Sequence, residues 1–188
     1  MSADNQQERL DTKWIVGFVD GEGCFHVSIN RLPKMTLGWQ VLPEFRVVQH
    51  KRDVDVLQRI RATLGYGEIN VNHGDRLEVR IRGLENLNKL VEFFKANPLQ
   101  SSKKKNFDYF ARIISLMNER KHLSREGLDE IAKLAAKMNR QPKLKYLESS
   151  ETTRQTSSQE DEDIVRTLQR CKETGRNDQS ASKEVVTD

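Results

Sequence analysis

Two carboxylates, Asp20 and Glu22, stand close together in the stretch WIVGFVDGEG, with Gly21 between them and Gly23 after. Trp14, Val16, Gly17 and Phe18 make the residues before them too apolar for a solvent-facing helix. The carboxylates therefore fall at the C-terminal end of a buried helix, where the backbone already carries negative partial charge. That placement is electrostatically poor unless a cation joins it, and a divalent metal held by oxygen ligands resolves the conflict. Two further sets of residues could do chemistry. A basic run, SSKKKN, brings Lys103, Lys104 and Lys105 together. Polar residues also alternate with apolar ones through several short segments. His26, Ser28, Asn30, Gln40, Glu44, Arg46, Asn70, Asn72, Glu78, Arg80 and Arg82 all fall on the polar side of that alternation.

The elements that must position these groups follow from periodicity. Helical spacing predicts a helix ending near residue 19, with Asp11 or Thr12 as cap, and with Gly21 and Gly23 breaking it. Alternation predicts strands over 24–30 and 40–50. Val56, Leu57, Ile60 and Leu64 predict a helix over 53–64, capped by Asp53 and stopped by Gly65. Strands over 67–72 and 76–82 flank an HGD turn and make a hairpin. Helices follow over 84–95, 107–117 and 124–139, with the Lys103–Lys105 run as a loop between the first two. Helices grouped on one face of an antiparallel sheet define the α+β class. The opposite face carries mixed hydrogen-bonding residues. It suits either a solvated sheet surface or the major groove, where Arg pairs with guanine and Asn or Gln with adenine.

The stretch around Asp20 and Glu22 resembles the signature of the LAGLIDADG homing endonucleases. Gly17, Asp20, Glu22 and Gly23 match in register, with Phe18 and Val19 as apolar variants. Val16 stands where the family usually has Ala, and Glu22 where Asp is commoner. The resemblance covers roughly residues 12–140, because the order of elements matches as well. It implies the αββαββα fold, with a saddle-shaped antiparallel sheet and additional C-terminal helices. It implies that Glu22 binds Mg²⁺ at the scissile phosphates, with the Gly21 carbonyl as a further ligand and Asp20 bracing the turn. By the same resemblance, Gln49 orients water near the metal. Lys103, or Lys104 or Lys105 if the register differs, assists the nucleophile or the charged phosphate.

Only one copy of the motif is present, so the resemblance implies a homodimer joined through the first helix, with Trp14, Val16, Gly17 and Asp20 at the interface. Symmetric protein asks for symmetric DNA, here a long pseudo-palindromic site cut on both strands to leave short 3′ overhangs. The implied activity is intron homing. A group I intron maturase acting on RNA, or a DNA-binding protein without cleavage, is the alternative on the same fold. Lys51 and Arg52 are expected on backbone phosphates.

Composition sets the outer bounds. Of 188 residues, 32% are charged, and no run approaches the roughly 20 apolar residues of a membrane span. The polar, partly acidic start MSADNQQERLD is neither a secretory signal nor an Arg-rich transit peptide, which points to an organelle that encodes the chain or to a prokaryotic cytoplasm. Before Gln141 there are 24 Lys and Arg against 18 Asp and Glu, a balance of +6; from Gln141 on there are 8 against 10, a balance of −2. The basic part fits a polyanionic partner. Residues 8–140 are expected to form one domain. Residues 141–188 are expected to be a largely disordered polar tail with a short helix at 161–171. Cys24 and Cys171 suggest no disulfide scaffold. His26, His50, His73 and His122 do not cluster at metal spacing; His26 is a candidate base contact, and His122 is expected to be exposed.

Overall fold

The computed structural model describes residues 9–138; the expectations for residues 139–188 lie outside them. Asp11 starts the first helix, α1 (Thr12–Glu22), because its Oδ1 accepts from the N–H groups of Lys13 at 2.8 Å and Trp14 at 3.3 Å. Ile15, Val16 and Val19 form its buried side. The helix does not stop near Val19. It continues through Gly21 to Glu22, and the chain turns extended only at Gly23 (φ −71°, ψ 146°). No left-handed residue is used there. Gly23 is needed for space, since a Cβ would lie 2.6 Å from Val19 Cγ1 and 2.9 Å from Val19 O.

The chain then enters the sheet directly: β1 (Gly23–Arg31) and β2 (Trp39–His50) pair antiparallel. Next come α2 (Val54–Leu64), then β3 (Glu68–His73) and β4 (Arg76–Ile81) as a hairpin. The sheet order is β1-β2-β4-β3, antiparallel throughout. Asp53 makes no side-chain cap to α2. The capping device lies one short turn earlier, where His50 Nδ1 accepts from the Arg52 N–H at 3.1 Å, while Asp53 pairs with Arg52. Gly65 ends α2 in the left-handed region (φ 82°), where a Cβ is disfavoured.

Helices α3 (Leu84–Ala96), α4 (Lys103–Asn118) and α5 (Arg125–Lys137) complete the domain. The apolar sheet face buries Phe25, Phe45, Val47, Leu77, Val79 and Ile81. Five phenylalanines join sheet to helices: Phe25 lies 5.0 Å from Phe45, 5.3 Å from Phe110 and 5.5 Å from Phe107, and Phe94 packs on both strands. Such tilted pairs add about 1 kcal/mol each beyond area burial. The lysine run is not a loop. Lys103, Lys104 and Lys105 form the first turn of α4, for a reason that belongs to the site itself.

Candidate active site

The C-terminal end of α1, the first residues of β1 and the N-terminal end of α4 meet at one point. Asp20 makes the join. Its carboxylate accepts from the backbone N–H groups of Gln100 at 2.8 Å and Ser101 at 3.1 Å, and from Ser101 Oγ at 2.7 Å. Ser101 Oγ in turn accepts from the Lys103 N–H at 3.2 Å. Asp20 thus holds the connection, and Ser101 Oγ meets the first N–H of α4, so the helix begins before its apolar stripe does. Partial burial pushes the Asp20 carboxyl up, but these hydrogen bonds and Lys103 outweigh it and leave it below its usual value.

Lys103 crosses back to the other helix end. Its Nζ donates to Val19 O at 2.9 Å, which also accepts from the Gly23 N–H, and to Gly21 O at 3.0 Å at the open end of α1. Burial lowers the Lys103 pKa, and nearby Cys24, Asp20 and Glu22 restore it only in part. Glu22 is exposed and has no hydrogen-bond or ion-pair partner among the described residues. Gly21, Glu22 and Lys103 lie together at this helix end, where the resemblance placed them, with Asp20 as the brace. Gln49 is not tied to them. It follows Phe45 and Val47 onto the helix-covered side of the sheet, partly buried, and its side chain has no hydrogen-bond partner among the described residues. Lys104 pairs with Asp108 at 2.9 Å on the α4 surface, and Lys105 is exposed beside it.

Among the described residues no three His, Cys, Asp or Glu side chains gather to hold a metal. What one chain offers is an exposed carboxylate and a backbone carbonyl, both hard oxygen donors. That set fits part of the shell of a Mg²⁺-like or Ca²⁺-like cation and does not suit a soft metal.

On α1, Trp14 is 41% exposed and stacks on Phe18 with centroids 4.7 Å apart. Gly17 is exposed, and a Cβ there would meet nothing within 4 Å. Val16 instead lies in the core of its own chain, and Asp20 is spent on the α3–α4 connection. The open side of α1 is thus Trp14, Gly17 and Gly21.

The polar sheet face departs from the sequence reading at two places. Glu44 is 7% exposed and Glu78 0%, so neither presents a carboxylate to a partner. Both are turned into a lattice with arginine. Arg82 Nε donates to Glu44 Oε2 at 2.8 Å, Arg46 Nε stands 3.3 Å from Glu44 Oε1, and Glu78 pairs with Arg80 and accepts from Asn72 Nδ2. His26 lies opposite Glu44 in the register. Burial and Arg46 lower its pKa against the pull of Glu44, which favours the neutral ring. Ser28 Oγ donates to Leu42 O, Asn30 pairs in register with Gln40, and Asn70 lies opposite Glu78. Lys51 bonds Asp75 at 2.6 Å. His122, expected to be exposed, is partly buried with its Nδ1 enclosed, and burial with Arg120 lowers its pKa. Sequence reasoning missed Gln100 and Ser101, whose only signal is a serine pair ahead of the lysines.

The LAGLIDADG endonuclease family model matches residues 15–114, from within α1 into α4. The chain belongs to this family. Its fold is similar to the crystal structure of the homing endonuclease I-TnaI, at 42% identity and a TM-score of 0.69, over 86% of this chain and 98% of that one. It is also similar to I-SmaMI bound to cleaved DNA, at 29% identity and a TM-score of 0.71, over 73% of this chain but 47% of that one; I-SmaMI is further described bound to uncleaved DNA in the presence of calcium ions. Among curated relatives, "Probable intron-encoded endonuclease 3" of Neurospora crassa is 33% identical over 65% of this chain and 24% of its own length. The chain thus spans about a quarter of that relative. As a LAGLIDADG protein it carries the acidic end of the motif helix at Glu22, beside Lys103.

Proposed function

We propose that two copies of this chain form a divalent-metal-dependent homing endonuclease that makes a double-strand cut in a long pseudo-palindromic DNA site. The observation that carries this reading is the junction of Glu22, Gly21 O and Lys103 at the end of a helix whose Trp14–Gly17 side is open. One chain supplies a single carboxylate, whereas cutting both strands calls for two such ends side by side. The match to 47% of the DNA-bound I-SmaMI chain supports the same arithmetic, one fold per half.

Glu22 and the Gly21 carbonyl of each copy would hold a divalent cation, which would supply Lewis acidity and offset charge on the phosphate. Mg²⁺ is the cation we assign; the oxygen donors at this end of α1 suit a hard divalent cation. Asp20 fixes the α3–α4 connection and so the starting point of α4. Lys103, held on Val19 O and Gly21 O, keeps an ammonium within reach of the same phosphate. Lys104, Lys105, Lys51 and Arg52 contribute phosphate contacts that position the duplex. The polar sheet face reads bases, with Arg46, Arg80, Arg82, Gln40, Asn30 and Asn70 as donors and acceptors. Intron-encoded relatives support an intron-borne reading frame, and an organelle as the place of action.

Purified protein incubated with Mg²⁺ and a randomised DNA library tests this directly. The expected result is double-strand cuts at one partly palindromic site, abolished by chelation and by Glu22→Gln with DNA affinity retained. Normal cutting by Glu22→Gln would remove that residue from the site. No cutting, with tight binding to a structured intron RNA, would replace the endonuclease with a maturase.

A further inference from the structure

The centre of the polar sheet face is organised in rows. Arg46 and Arg80 lie directly opposite each other across β2 and β4. Two adjacent cations in a cross-strand pair repel. On one side of that pair, two residues along β2, is Glu44; on the other, two residues along β4, is Glu78. Arg82 stands beside Glu44 and closes the group. Three guanidinium groups and two carboxylates leave a net charge of +1.

The direction of each contact matters. Arg82 gives Glu44 its Nε and Nη2 together. Arg46 turns its Nε toward Glu44 Oε1 at 3.3 Å. Arg80 places Nη2 on Glu78 and its Nε 3.9 Å from Glu44 Oε2. All three therefore direct the Nε side of the fork inward, Arg82 Nε by a hydrogen bond and Arg46 Nε and Arg80 Nε by burial and charge alone, and the carboxylates are almost wholly covered. Asn72 takes the remaining oxygen of Glu78.

We propose that Glu44 and Glu78 are positioning residues that touch no base, and that they aim the outer edges of Arg46, Arg80 and Arg82 at guanines in each half-site. A planar guanidinium offers two usable edges. With the Nε edge held inward, the other edge is pre-oriented for the O6 and N7 acceptors of guanine. The covered carboxylates cannot accept from the amino groups of adenine or cytosine, so this part of the face presents donors only. Fixing the forks in advance also lowers the ordering cost of binding. The inference rests on the sheet face reading DNA, as proposed above.

Site selection from randomised DNA tests it, with wild-type protein compared with Glu44→Gln and Glu78→Gln in Ca²⁺, the ion in whose presence I-SmaMI is described on uncleaved DNA. Wild type is expected to select guanines at the positions facing the cluster. Glu44→Gln should reduce that preference roughly tenfold where Arg46 and Arg82 read, and Glu78→Gln where Arg80 reads, with other positions unchanged. Unchanged guanine preference in folded variants overturns the proposal, as does a loss spread evenly over the site. Should the variants not fold, the Nε–Hε resonances of wild-type protein decide it: three slowly exchanging signals are expected, and averaged, freely exchanging ones overturn it. If wild type selects no site at all, the DNA reading fails instead, and these same resonances judge the positioning alone.

Discussion

Asp20 and Glu22 have the same charge and neighbouring positions, yet the structure gives them opposite tasks. Asp20 is saturated by three donors from the connection just before α4, while Glu22 is left exposed and without a hydrogen bond. Asp20→Ala is expected to destabilise the protein by about 1 kcal/mol, a typical net cost of losing an intramolecular hydrogen bond. It should also slow cutting by releasing the segment that leads to Lys103; unchanged unfolding and cutting would deny the brace. Glu44 makes a pH prediction. Burial pushes its carboxyl up, but Arg82, Arg46 and Arg80 win and hold it below its ordinary value of 4.5. A depressed folded pKa gives stability that is present above 4.5 and lost as pH falls through the lower folded value. The stability gap between wild type and Glu44→Gln should therefore be constant at neutral pH and shrink below about pH 4, as read by urea unfolding.

At the scale of elements, the connection before α5 shows a local preference overruled by packing. Gly127 lies inside α5, where helix propensity alone predicts that Ala would add about 1 kcal/mol. A Cβ there would stand 2.1 Å from Lys121 O, a backbone atom with little room to move. Overpacking of this kind costs about 1–3 kcal/mol, so Gly127→Ala should lower the melting temperature; a rise would show that the connection yields. Phe25 sits where β1, β2, α3 and α4 converge, and Phe25→Ala is expected to cost about 4 kcal/mol. The start of α4 follows the same logic. Its apolar stripe begins at Phe107, but the Ser101 hydroxyl, itself bonded to Asp20, accepts from the Lys103 N–H, and the three lysines read as a loop form a helix turn.

At the scale of the whole molecule, the open side of α1 is where a second copy is expected. Gly17→Leu separates assembly from folding, because an added Cβ meets nothing within 4 Å in the single chain. Sedimentation should show stable monomers with native thermal unfolding; a dimer of unchanged affinity would place the interface elsewhere. The elements and their order were legible from periodicity, since each strand and helix must bury one face and its apolar residues recur at the matching interval. The acidic end of the motif helix was legible too, because glycine and carboxylate types are dictated locally. The sequence could not show that Glu44 and Glu78 are enclosed, for alternation assigns a residue to a face and not to depth on that face. Nor could it show that Asp20 reaches Gln100 and Ser101, some 80 positions away, or that Lys103 returns to the carbonyls of Val19 and Gly21. Those contacts join segments with no shared period, and only tertiary packing brings them within hydrogen-bond distance.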